Sequence, residues 1–253
     1  MIRSLKITFE PDTKIIPDHN LASVFHGVMM EKIDSDYAER LHLSRTHPYS
    51  QYITGENNRI IWRINTLDKE ASEKITEILA GDDFTEAYIK YRDLSLKVSS
   101  KEISETSSGE LLNKYYLGEK SSRYITIKFL TPTAFKSGGK YMIFPTSKHI
   151  LNNLAARYDS FAEETTISDD RLSEYISECT DIVEYNLRSV KFSLEGITVP
   201  SFIGTVCIRL SGSREFICLM NMLLAYGEYS GTGIKTSLGM GAYKIIQTGG
   251  RIR

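Results

Sequence analysis

The 253-residue chain has few of the features that announce a membrane protein, a disulfide scaffold or a metal centre. Its longest apolar run, near Ile217 to Ala225, is interrupted by Asn221 and is far shorter than the ~20 residues that cross a bilayer as a helix. The N-terminal MIRSLKITFE alternates like a strand and lacks the continuous apolar stretch of a signal peptide, so the expected compartment is the cytoplasm. Cysteine is scarce: Cys179, Cys207 and Cys218 form no Cys-x-x-Cys pair and have no histidine at ligand spacing. They are expected as buried free thiols, with neither a metal nor a cofactor. Net charge is almost absent as well, −1 at neutral pH, which by itself argues against a nucleic-acid partner.

The charge is segregated, however. Residues 1–120 carry 16 basic and 20 acidic side chains, whereas residues 121–253 carry 15 and 12. Eight of those 12 acids lie between Glu163 and Glu184, a stretch expected as the solvated face of a helix. What remains of the second half is strongly basic and can meet a polyanion.

Glycine is concentrated in GTGIKTSLGMG, Gly231 to Gly241, where two Gly-x-Gly pairs flank five residues that include Lys235. A Walker loop would need glycine immediately before that lysine, and Ile234 stands there. A dinucleotide fingerprint would need glycine at Thr236 and a strand in front, where a helix is expected. The remaining reading is a loop whose glycines let a bulky anion approach the main chain, with Lys235 turned toward it.

Two segments start alike, RSLKITFE from Arg3 and RYITIKFL from Arg123, each alternating with period two and each followed by proline, Pro11 or Pro132. Each then reaches a helix-start signal, from Ile15 with Asp18 as cap and from Ile143 with Thr146 as cap. In the first half the pattern predicts a helix from about Leu21 to Ile33, a loop through Arg45 to Tyr52, a strand near Arg59 to Asn65, a helix near Lys69 to Leu79 and strands between Ala87 and Ser99. In the second it predicts helices near Lys148 to Phe161 and Asp169 to Glu178, strands from Asp181 to Leu194 and Thr198 to Leu210, a helix from Ser213 closed by Gly227, and a last strand from Ala242. The fold class read from this order is α+β: two tandem ferredoxin-like (RRM-like, β-α-β-β-α-β) domains, residues 1–118 and 119–253, with a linker between Ser107 and Ser122.

Three stretches carry a closer resemblance: GTGIKTSLGMG, RLHLSRTHPYSQY from Arg40, and FLTPTAFKSGGKYMIFP from Phe129. Together they resemble the CRISPR-associated endoribonucleases that cut precursor CRISPR RNA, the Cas-six family of the RAMP superfamily. The resemblance implies two ferredoxin-like domains side by side and CRISPR repeat RNA as partner. It further implies CRISPR effector proteins as additional partners, no membrane, and a monomer or homodimer.

It also implies metal-independent cleavage in which a 2′-hydroxyl attacks the adjacent phosphate, leaving a 2′,3′-cyclic phosphate and a 5′-hydroxyl. Such a reaction needs a base, a cation for the phosphorane and an acid for the leaving oxygen. His42 falls on the family's catalytic histidine. The tyrosine that some members carry on the first helix falls on Met30, and the lysine before the aromatic stretch falls on His47. The open proton role therefore goes to His26, one helical turn before Met30, or to His47. Lys136, Lys140, Arg157, Lys235 and Lys244 are the expected RNA-binding cations, with Gly231, Gly233, Gly239 and Gly241 seating the strand. The alternative is a non-catalytic RAMP subunit that holds RNA in an effector complex and needs no histidine pair.

Overall fold

Apolar side chains at alternate positions make β1 (Ile2–Glu10) a central strand, with Leu5, Ile7 and Phe9 fully buried. The computed structural model describes all residues except 12–17, 91–92, 119–120, 163–165, 170, 195 and 249–253. β1 pairs antiparallel with β3 (Arg59–Thr66) on one side and β5 (Leu94–Thr106) on the other. β2 (Tyr49–Glu56) lies outside β3 and β4 (Glu86–Ile89) outside β5, giving the sheet order β2-β3-β1-β5-β4. Helix α1 (Leu21–Lys32) lays Phe25 against Trp62, ring centroids 4.9 Å apart, and α2 (Ser35–Leu43) follows it. The helical stretch after β3 consists of α3 (Lys69–Ala71), a π turn at Ser72–Thr76 and α4 (Glu77–Ala80).

The second half repeats this topology without a counterpart of β4 among the described residues. α5 (Ser108–Leu112) leads toward β6 (Tyr124–Thr133), and a short hairpin, β7 (Phe135–Ser137) and β8 (Lys140–Met142), projects beyond it. Then come α6 (Ser147–Phe161), α7 (Leu172–Cys179), β9 (Thr180–Leu194), β10 (Ile197–Leu210), α8 (Arg214–Ser230) and β11 (Tyr243–Thr248). The sheet order is β11-β6-β10-β9, so β6 takes the central place that β1 holds in the first sheet. Ile150, Leu154, Leu223 and Tyr226 of α6 and α8 form its core with Phe202 and Val206. The two halves meet along β2 and the end of α8: Asn65 Nδ2 donates to the Tyr229 carbonyl at 2.9 Å, and the Ser50 hydroxyl donates to the same oxygen. Among the described residues no helix is long and apolar enough to cross a membrane.

Four local expectations are corrected. Tyr49 to Tyr52, expected in a loop, begins β2, and Ser35–Leu43 is an additional helix. The expected linker contains α5, whose Leu111 is buried in the second core. α1 is preceded by Asn20 as its cap position; Asp18 instead accepts hydrogen bonds from the Asn20 backbone and side-chain amides, and Ile15 to Pro17 lie outside the described residues. Thr146 does cap α6, its hydroxyl accepting from the His149 N–H at 3.1 Å. Cys207 and Cys218 are buried free thiols and Cys179 is half-buried. The acidic residues Glu174 and Glu178 are exposed on α7.

Gly227 is the fourth correction. It lies inside α8, which continues to Ser230, so it does not close the helix. A Cβ there would stand 2.0 Å from Tyr243 Oη and 2.6 Å from Leu154 Cδ2. Glycine is required because β11 and α6 crowd the helix at that point. Gly227→Ala is expected to destabilise the protein by at least ~2 kcal/mol through overpacking, read as a lower urea midpoint; an unchanged midpoint would contradict this packing.

Candidate active site

Asp34 starts α2 by accepting from the Tyr37 N–H at 3.0 Å, and the helix is just long enough to bring His42 to its last turn, exposed. The chain then turns through Ser44 and Arg45, and His47 stands two residues before β2 begins at Tyr49. His26 projects from α1. These elements bring His26, His42 and His47 to one cavity of about 430 Å³, which Met30, Tyr49 and Ser237 also line. Met30, which the sequence resemblance aligns with a family tyrosine, borders the same space as the three histidines.

A chain of polar contacts runs through the cavity. His26 Nε2 lies 2.9 Å from Tyr49 Oη, and the two rings are nearly parallel, 19° apart. The His47 ring meets Tyr49 edge-on at 5.6 Å, and its Nδ1 lies 3.4 Å from Ser237 Oγ. Tyr49 is fully buried, and that burial raises the phenol pKa, so its hydroxyl keeps its proton and shares a hydrogen bond with His26. Sequence reasoning missed the roles of Tyr49 and Ser237. The one available signal for Ser237 was a hydroxyl inside the glycine signature, two residues after Lys235.

The glycine string lies against this cavity, but most of its glycines serve packing. A Cβ on Gly239, whose φ is +104°, would fall 2.2 Å from the Ala22 Cβ of α1. Gly231, Gly239 and Gly241 are buried, and a Cβ on any of them would press on neighbouring atoms of the fold. Gln51 of β2 fastens the loop: its Nε2 donates to the Ala22 carbonyl at 2.8 Å and the Ser237 carbonyl at 3.0 Å, while its Oε1 accepts from Trp62 Nε1 at 2.9 Å.

A second cavity, of about 420 Å³, shares His47, Ser237 and Leu238 with the first and is bordered by Arg45, Arg157, Gly233 and Lys235. A third, of about 320 Å³, shares Gly233 and Ile234 with the second and is bordered by Lys136, Lys148 and His149. The three form a trough running from the histidines around the glycine loop to hairpin β7–β8. Lys140 is exposed on that hairpin opposite Ser137, and Lys244 is exposed on β11, away from the cavities. Arg157, expected among the surface cations, is only 8% exposed. Among the described residues no group of three or more His, Cys, Asp and Glu side chains is arranged to hold a metal ion.

Residues 127–243 match the CRISPR-associated endoribonuclease Cas6 family. A CRISPR-associated endoribonuclease Cas6 from Streptococcus thermophilus is 34% identical over 230 residues, covering 90% of this chain and 93% of the relative. One from Mycobacterium tuberculosis is 29% identical over 221 residues, covering 87% and 70%. The solved structure of a Cas6 product complex shares the fold, with a TM-score of 0.80 at 20% identity over 98% of this chain and 100% of that one.

Burial shapes the electrostatics of the histidines. The His26 pKa falls from 6.5 to about 4, first through desolvation and then through the nearby charges of His47 and His42. His47 is lowered too, by burial, against a backbone hydrogen bond at Leu41, with Arg157 and His42 adding to the depression. Between pH 6.5 and about 4 the unfolded chain therefore binds a proton at position 26 that the folded chain refuses. The sign follows: stability is full above pH 6.5 and is lost as pH falls toward 4, with a slope approaching about 1.4 kcal/mol per pH unit for each such proton. His26→Gln, which cannot titrate, is expected to flatten this acid limb in urea unfolding at pH 7, 6 and 5; an equally steep limb would show that His26 is not the group responsible.

Proposed function

The chain belongs to the Cas6 family of CRISPR-associated endoribonucleases, and on that footing we propose that it cuts precursor CRISPR RNA within the repeat by 2′-hydroxyl attack on the adjacent phosphate, without a metal ion. Its endoribonuclease activity in CRISPR RNA processing is the premise; the mechanism, the residues and the path of the strand are the proposal. The observation that carries it is the convergence of His26, His42 and His47 on one cavity. Imidazole serves either proton role near neutral pH.

In this mechanism one histidine removes the proton from the 2′-hydroxyl as its oxygen bonds to phosphorus. A second delivers a proton to the departing 5′-oxygen, so the products are a 2′,3′-cyclic phosphate and a 5′-hydroxyl and charge balances. His42 and His47 form that pair. His42 is exposed and reachable by a strand, and His47 stands where the first two cavities join. His26 is kept neutral by burial and is engaged by the Tyr49 hydroxyl, so it orients the site more than it exchanges protons. The strand runs along the trough past Lys235 toward Lys136 and Lys140, at the junction of the two sheets, and because α5 packs on the second core the division expected at residue 118 is moved to before Ser108.

Single-turnover cleavage of a repeat RNA tests this reading. His42→Ala is expected to slow cutting by about 10²–10⁴-fold, the usual worth of a general acid or base, with unchanged binding of the RNA. EDTA should leave the wild-type rate intact, and a single 2′-deoxy sugar at the cleaved position should abolish product. Undiminished cleavage by His42→Ala, or cutting of the deoxy substrate, would overturn the mechanism.

A further inference from the structure

We propose that the cavity beside the histidines is a phosphodiester-binding subsite in which buried Arg157 grips one backbone phosphate of the RNA strand, with Lys235 at the rim. The inference rests on the RNA-cleaving reading above and adds a specific receptor to it. α6 turns Arg157 inward between the glycine loop and α8, where only 8% of the residue remains exposed. The Nε and Nη2 atoms of its guanidinium are buried and have no hydrogen-bond partner among the described residues. Those two atoms form one edge of the planar group, the fork that meets two oxygens of a phosphate or carboxylate at once.

The surroundings select an anion. Among the described residues no carboxylate borders the cavity; the charged ones around it are Arg45, Arg157, Lys235 and the titratable His47. Desolvation lowers the Arg157 pKa, and the Tyr226 hydroxyl acts against it. A buried cation left without a counter-charge is strongly unfavourable, and buried polar atoms in folded proteins nearly always have partners. An occupant that supplies two acceptor oxygens and a negative charge completes the site.

Lys235 adds a second sign of a built feature. It holds a left-handed backbone, φ +57°, which a non-glycine residue adopts at a cost. The Gly233 N–H is not available to the anion, since it donates to Asn153 Oδ1 at 2.7 Å. The choice of an RNA phosphate over a free anion follows from continuity. This cavity shares His47 and Ser237 with the histidine cavity, so a strand whose scissile phosphate sits at the histidines carries a neighbouring phosphate past Arg157.

Two arms test the subsite on the full chain. In the first, inorganic phosphate is titrated while the melting temperature is followed. It should raise the wild-type Tm and leave Arg157→Met unmoved, and Arg157→Met without phosphate should melt no lower than wild type, because a lone buried charge has been removed. In the second, a non-cleavable 2′-deoxy repeat RNA is bound at several salt concentrations. Arg157→Met should bind at least ~10-fold more weakly with a log–log salt slope smaller by about one, and Arg157→Lys, which keeps the charge but lacks the fork, should recover part of the affinity.

Equal RNA affinity and salt slope in wild type and both variants would overturn the proposal, as would an undiminished phosphate response in Arg157→Met. Loss of the phosphate response with unchanged RNA binding would assign the cavity to a free anion, and the strand contact would fall. Failure of the cleavage reading registers separately, as absence of product from repeat RNA with the wild-type protein.

Discussion

The Gln51 side chain is wholly buried at the junction of the two halves, and each of its polar atoms is engaged: Nε2 with the Ala22 and Ser237 carbonyls, Oε1 with the Trp62 indole. Ala22 belongs to the helix that carries His26, Trp62 to the core of the first sheet, and Ser237 to the loop that adjoins His47. One amide thus fixes the distance between the element bearing a histidine and the loop that closes the cavity. The Gly239 approach to Ala22 works with it. A side chain at 239 would push the loop away from α1, and the Gln51 bridge to Ser237 would stretch or break. A buried amide deprived of one partner is left with an uncompensated donor, which makes the register all-or-none.

The site that results contrasts a dry wall with a wet rim. His26 and Tyr49 lie on the dry side, one depressed and one raised in pKa by the same loss of water, so both are neutral and share a single hydrogen bond. His42 is exposed at the rim. His47 lies between, partly buried and in reach of Ser237. A graded environment of this kind separates histidines that are chemically identical, because desolvation penalises only the charged form. The basic side chains Arg45, Arg157 and Lys235 border the adjoining cavity instead.

Alternation made β1, β6, β9 and β10 readable, since each has at least one face against a core and follows the period of two. β2 was not readable for a physical reason: Tyr49, Ser50, Gln51, Tyr52 and Ile53 are all buried, because the strand is covered by α1 on one face and by the second half on the other. Covering both faces erases the alternation. α2 escaped notice because only Tyr37 and Leu41 anchor it, too few to trace a helical stripe. The histidines could be located from the residues around them, whereas the burial of Arg157 could not. A basic residue in a helix reads as solvated, and only the packing of α6 against α8 and the glycine loop reveals that this one points inward.

The glycine string changes meaning most. In sequence it stands 190 residues from His47 and reads as a recognition element separate from the chemistry. In space the string touches both tasks. Its glycines let the loop press against α1 and the β6–β7 junction, and the residues between them supply Ser237 to the histidine cavity and Lys235 to the anion cavity. The five residues between the glycine pairs are therefore held by the glycines more than the ligand is. A loop anchored so closely at both ends can keep Lys235 in a left-handed conformation and Ser237 at His47 together, which a more loosely packed loop could not do. Both cavities are bordered by this one tightly packed turn, so an error in its packing displaces Lys235 and the Ser237 contact with His47 together.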